Sequence, residues 1–265
     1  VPLFVNRRNM RPSTTFFRAI LHVHAPATAG GSFMRTPFRT PTILGIPVHR
    51  ISTVEFRSWI RRALGSARAH RIITLNPEIA LATQRNPRYA SVIRTADLIT
   101  ADGVGIIYAL RALRRPTPDR ITGTTIIEEL CAVAHEEGSP ITVLLRADGL
   151  TSPPLLRARL RERWPDLNVA IALVDPRASL DPALRQATAD HAPRILIVNF
   201  GHPLQETWIA EHLDAFPTVR IAVGVGGAID YFSGAAPTPP ELSRRFGLEW
   251  AWRLVKQPWR FHRIV

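Results

Sequence analysis

The feature that most limits this chain is a change of hydrophobic period that repeats along its length. From residue 43 onward, short apolar runs alternate with longer stretches whose apolar residues stand three or four apart. The runs are Arg71–Thr74, Asp97–Ala101, Ile141–Leu145, Val169–Val174, Ile195–Phe200 and Val219–Val223. Runs with little polar alternation read as strands covered on both faces, and the stretches between them as amphipathic helices. A parallel neighbour needs a crossover long enough to hold a helix, so strict strand–helix alternation points to a parallel sheet. The expected fold class is therefore α/β: a doubly wound, mostly parallel Rossmann-like sheet with helices on both faces.

Helix signals support that reading. Ser52 and Glu55 have the spacing of a capping box, with Phe56, Ile60 and Leu64 following at helical spacing. Pro77 suits the first turn of a helix carrying Ile79, Ala80 and Ala82. Further helices are expected from a cap at Thr124 or Thr125 through Ala134, over a Leu/Arg stretch to Trp164, over Pro182–His191 and over Trp208–Leu213. Outside this regular body the composition shifts. Residues 1–42 are rich in Pro, Thr, Gly and Arg and read as a disordered N-terminal extension. Residues 43–234 form the expected catalytic domain. Residues 235–265 open with a Pro-rich linker and continue as an aromatic, basic helical appendage.

Charge and cysteine content narrow the function. The formal charge is +13, and every cation except Lys256 is arginine. The planar guanidinium donates two parallel hydrogen bonds and suits phosphate groups. A nucleic-acid module would interleave aromatics with basic residues over a broad face; only the C-terminal segment has that mixture, and it equally suits an anionic membrane surface. Nucleic acid is therefore not an expected partner. Cys131 is the single cysteine, which excludes an internal disulfide and a cysteine zinc cluster and fits a reducing, cytoplasmic setting. It reads as a small buried apolar residue.

In open parallel sheets ligands bind beyond the carboxyl ends of the strands. The residues following the expected strands are Thr74 and Asn76, Asp102 and Gly103, Gln205 and Glu206, and the Gly224–Gly227 loop with Asp230. Singly, Asp102-Gly103 reads more readily as a turn than as a site. The glycine loop is either a tight turn or an amide cradle for phosphate, without the spacing of a dinucleotide or Walker fingerprint. Together they form one polar edge.

A set of ordered motifs adds to this. Thr74-Leu-Asn76, Ala101-Asp-Gly103, Asp119-Arg120 with Gly123, Gly201-His-Pro203 with Gln205-Glu206-Thr-Trp208, Gly224-Val-Gly-Gly227 with Asp230, Gly234, Gly247-Leu-Glu-Trp250, Arg253-Leu254 and Pro258-Trp-Arg260 occur in sequence. In this combination the chain resembles the WecG/TagA/CpsF family of bacterial glycosyltransferases over about residues 43–265. The resemblance implies inverting, metal-free transfer of an N-acetylmannosamine-type or related sugar from a UDP-sugar donor to a polyprenyl-diphosphate-linked glycan acceptor. It implies an enzyme without cofactors, cytoplasmic and attached peripherally to the inner face of the membrane. It makes Asp102 the general base, with Thr74 and Asn76 lining the sugar pocket and Arg120 and Gln205 at the donor diphosphate. It places Arg253, Arg260 and Arg263 at the substrate from the appendage. Gly103, Gly224, Gly226, Gly227, Glu206 and Asp230 complete the expected binding set, and a homo-oligomer is compatible with it.

The chain departs from the family pattern in three places. Leu204 stands where the family has Lys, Arg146-Ala147 where it has Gly-Gly, and Pro237-Thr-Pro239 where it has Arg-Ala-Pro. Two of these remove positive charge, and the third changes a loop expected near the ligand. A catalytically silent sugar-nucleotide binder, acting as a scaffold in polysaccharide assembly, is the alternative reading.

Overall fold

The computed structural model describes residues 40–237. The expected N-terminal extension and C-terminal appendage fall almost wholly outside the described residues, and so do Arg253, Arg260 and Arg263.

A two-stranded hairpin, β1 (Thr42–Ile43) and β2 (Ile46–Pro47), precedes the body. The main sheet then builds from β3 (His70–Leu75), β4 (Leu98–Ala101), β5 (Ile141–Arg146), β6 (Val169–Val174), β7 (Ile195–Asn199) and β8 (Ile221–Gly224). Their spatial order is β4-β3-β8-β7-β5-β6, and every neighbouring pair is parallel. The helices are α1 (Thr53–Leu64), α2 (Pro77–Arg85), α3 (Pro87–Arg94), α4 (Val104–Ala112), α5 (Gly123–Glu136), α6 (Pro153–Arg163), α7 (Pro182–His191), α8 (Leu204–His212) and α9 (Ala228–Ser233). The expected doubly wound α/β fold is present.

Alternate residues of each strand face opposite layers. On one face Ile72, Val143, Ile197 and Val223 meet α1, α5, α6 and α9 in a single core. Phe56 and Trp59 of α1 are fully buried there, with near-parallel rings 6.3 Å apart. Truncating either to Ala would cost about 3–5 kcal/mol. On the other face the core is split. Ile73, Leu75 and Ile99 pack with the hairpin, α2, α3 and α4, while Leu144, Leu196 and Val198 pack with α7 and α8. Cys131 is buried, and burial pushes its thiol up to about 12.

The Ser52–Glu55 capping box forms as expected, with both reciprocal bonds present. Two helix starts and two elements differ most from the sequence reading. The cap of α5 is Thr122, not Thr124 or Thr125: its hydroxyl accepts from the Thr125 N–H at 3.2 Å. Gly123 can start that helix because a Cβ there would lie 2.7 Å from that of Ala228, so the residue packs directly on α9. Helix α8 starts at Leu204 rather than Trp208, since the Gly201 carbonyl accepts the Gln205 N–H at 3.0 Å. A separate α3 is capped by Asn86, whose side chain accepts from the Tyr89 N–H. The hairpin is too short to show a period.

Candidate active site

β8 is where the sheet opens. Its neighbours β3 and β7 send α2 and α8 to one face, while β8 sends α9 to the other. Adjacent strands whose connections part in this way leave a crevice at their carboxyl ends. Thr74 and Asn76 enter it from β3 and Asp102 from β4. Gly201, His202 and Gln205 enter from β7, Val225–Ala228 from β8, and Glu78 and Ile79 from α2.

Local bonding explains why these groups meet. Asn76 caps α2, its Oδ1 accepting from the Ile79 N–H at 2.9 Å, which turns the amide nitrogen into the group available to a ligand. The Asp102 N–H donates to the Leu75 carbonyl at 2.8 Å, carrying the β3–β4 ladder one residue past the strand. Gly103 then turns with φ of 81°, a left-handed conformation that a side chain would strain. A Cβ on Gly105 would fall 2.6 Å from Pro77 Cγ, so the start of α4 lies directly on the start of α2. Asp102 and Asn76 are thereby set at one rim by backbone and close packing.

The second rim is held by a buried polar chain. Gln205 is 3% exposed; its Nε2 donates to Glu206 Oε1 at 2.8 Å and its Oε1 accepts from the Gly201 N–H at 3.0 Å. Glu206 Oε2 accepts from the Tyr89 hydroxyl at 3.0 Å, which links α8 to α3 across the split core. Burial pushes the Glu206 carboxyl above its usual range, opposed by the hydrogen bonds it accepts. Burial and the neighbouring Glu206 raise the Tyr89 phenol as well. A Cβ on Gly224 would lie 2.6 Å from Gln205 Cγ and Cδ, so the end of β8 is moulded on this side chain.

The expected site residues divide accordingly. Thr74, Asn76, Asp102, Gln205, Gly226 and Gly227 come together in the crevice wall. Gly103 and Gly224 shape it through conformation and close contact. Glu206, expected at the substrate, is 2% exposed and turned inward to Tyr89 and Gln205. Asp230 accepts from the Thr151 hydroxyl at 2.7 Å, tying the loop before α6 to α9. Arg120 extends the sheet through a parallel bridge to Ala101 and stands beside the lining rather than in it. The loop at Arg146-Ala147, expected near the ligand, contributes nothing to the lining either. Two residues not singled out from the sequence, Glu78 and His202, line the crevice and are hydrogen bonded at 2.8 Å. The signals for them were slight: a carboxylate in the first turn of a helix that leaves a strand end, and an imidazole between Gly201 and Pro203.

Among the described lining residues there are two carboxylates, one imidazole, three further polar side chains and no Arg or Lys. This is a hydrogen-bonding crevice set in a strongly cationic chain. With its amide-rich glycine turn at the carboxyl edge of a parallel sheet, it is the candidate active site of this α/β protein. The sequence model described as the glycosyl transferase WecG/TagA/CpsF family matches residues 41–265. The chain belongs to that family and is a glycosyltransferase. Among curated relatives, an N-acetylglucosaminyldiphosphoundecaprenol N-acetyl-beta-D-mannosaminyltransferase of Bacillus spizizenii is 30% identical over 73% of this chain and 74% of its own length. Enzymes of the same name from Bacillus subtilis and Staphylococcus aureus are 26% and 29% identical. They align over 86% and 73% of this chain, and 88% and 74% of their own lengths.

Proposed function

We propose that this chain transfers an N-acetylmannosamine-type sugar from a UDP-sugar to a polyprenyl-diphosphate-linked N-acetylglucosamine acceptor, with inversion at the anomeric carbon and without a metal ion. The observation that carries the reading is the meeting of Asp102 with Thr74, Asn76 and the Gly226-Gly227 turn in one crevice. The acceptor class follows that of the relatives, named for action on N-acetylglucosaminyldiphosphoundecaprenol.

In this reading Asp102 takes the proton from the acceptor hydroxyl as that oxygen attacks the anomeric carbon and the bond to UDP breaks. Thr74 and Asn76 hold the sugar so that attack comes from the face opposite the leaving group. The departing diphosphate carries the developing negative charge. Backbone amides of the Gly224–Gly227 turn, Arg120 at the rim, and Arg253, Arg260 and Arg263 of the C-terminal region are assigned to it. Among the described residues no three His, Cys, Asp or Glu side chains are grouped as a metal site would need.

A lipid-linked acceptor calls for work at a membrane surface, and among the described residues no helix is long and apolar enough to cross one. We assign attachment to the basic, aromatic region beyond residue 235, at the cytoplasmic face.

The test is UDP release by the full-length protein given UDP-N-acetylmannosamine and a polyprenyl-diphosphate N-acetylglucosamine analogue, with and without chelator. Release should require both substrates and persist in chelator. Binding of UDP with no turnover of any UDP-sugar would instead make the protein a silent binder, and strict dependence on Mg²⁺ or Mn²⁺ would overturn the charge assignment.

A further inference from the structure

Glu78 and His202 face each other in the crevice although the strands that carry them are not neighbours. Glu78 is in the first turn of α2, after β3; His202 lies in the turn after β7; β8 runs between. Two inter-strand steps amount to about 9–10 Å, so the 2.8 Å hydrogen bond between Glu78 Oε2 and His202 Nε2 joins the β3 and β7 sides of the crevice. Both residues stand on rigid supports. Asn76 caps the helix under Glu78, and the Gly201 N–H bonded to Gln205 Oε1 fixes the turn that presents His202.

The charge of the crevice says what this bridge can meet. Glu78 and Asp102 make their part of the crevice acidic, and the described lining sets no Arg or Lys beside them, so the diphosphate is left to the amides of the glycine turn and to arginines outside the lining. A pyranose presents hydroxyl and acylamino groups, which need acceptors and donors at fixed positions. A carboxylate accepts hydrogen bonds and an imidazole can donate or accept them, which are the roles such groups call for.

We propose that Glu78 and His202 are the specificity-determining pair of this enzyme, reading the hydroxyl and acylamino pattern of the transferred sugar. This rests on the glycosyl-transfer reading given above. It differs from the role of Asp102: the pair discriminates between epimeric sugars and takes no proton in the reaction.

The experiment measures calorimetric affinities of the full-length protein for UDP, UDP-N-acetylmannosamine and UDP-N-acetylglucosamine, together with kcat/KM for both sugars. Wild type, Glu78→Gln, Glu78→Ala and His202→Ala are compared. The wild type should bind its preferred sugar nucleotide more tightly than UDP. Each Ala variant should reduce the preference between the two epimers about tenfold or more, while affinity for UDP and KM for the acceptor stay within about twofold. Glu78→Gln, which keeps one acceptor oxygen, should lose less than Glu78→Ala.

Affinity and turnover that fall equally for both epimers would make the bridge a structural strap and overturn the proposal. So would a wild type that binds neither sugar nucleotide better than UDP. A wild type that discriminates in binding but transfers neither sugar would sink the transfer reading and leave the sugar-reading pair standing.

Discussion

The sheet has two places where neighbouring strands part company, and they are finished differently. One is at β8, whose following helix leaves for the opposite face from those after β3 and β7. The other is at β5, whose following helix α6 lies on the opposite face from both α8 after β7 and α7 after β6. At β8 the chain turns at once through Gly226 and Gly227, and polar groups from four strand ends enter the gap. At β5 the chain stays in the sheet for another residue, the Ala147 N–H donating to the Val174 carbonyl at 2.9 Å. Arg146 then folds onto Asp148 through a forked ion pair, and the turn at Leu150 is left in solvent. Topology offers a crevice at both points; side chains decide which becomes a site. At β8, residues without side chains leave room where Gln205 and the flanking helices press closest. At β5, the Ala147 and Gly149 N–H groups are already bonded, to the Val174 and Arg146 carbonyls, beside the Arg146–Asp148 ion pair.

Breaking the β8 side should have the largest effect. Asp102→Asn keeps shape and removes the base, so transfer should fall by about 10²-fold or more while UDP-sugar affinity is largely kept. Near-native turnover would reduce Asp102 to a turn residue.

Gly224→Ala attacks the same end by packing. The new methyl would displace Gln205, costing about 1–3 kcal/mol of stability and, through the shifted crevice wall, about tenfold or more in transfer. A denaturant melt with parallel kinetics separates the two effects. Full activity in a destabilised protein would mean that the Gln205–Glu206 chain supports the fold alone.

The β5 turn supplies the control. Arg146→Ala removes a solvent-exposed ion pair, which contributes little to stability, and transfer should not change. A marked loss of activity would mean that the second divergence also serves the substrate.

The smallest effect is one of pH. His49, His70 and His191 are each held below the ordinary histidine value, mainly by burial. Between about pH 6.5 and their lowered folded values, the unfolded chain binds protons that the folded chain refuses, so their contribution to stability shrinks as pH falls. Glu206, raised in the fold, acts in the opposite sense, so the useful measurement is a difference. His70 lies fully buried, edge-on to Trp59. His70→Phe should therefore lose less stability than wild type on going from pH 7 to pH 5.5. Equal losses would clear His70 of the effect.

Local rules made much of this protein readable before any fold was known. Strand–helix alternation is a property of short windows, and it led to the parallel sheet. The Ser52 cap and the place of Asn76 and Asp102 after strands depend only on near neighbours, since a strand end and a helix start are defined within a few residues. Other features rest on pairs far apart in the chain. Tyr89 and Glu206, 117 positions apart, and Glu78 and His202, 124 apart, meet only because α3 packs on α8 and β8 inserts between β3 and β7. The same holds for the need for glycine at 123, where Ala228 of α9 leaves no space for a side chain. Which way Glu206 turns was equally hidden, because a carboxylate at a strand end carries no mark of whether it faces a ligand or a buried tyrosine. Sequence determines groups that act through hydrogen bonds to adjacent backbone; tertiary structure decides those whose partners arrive from another strand.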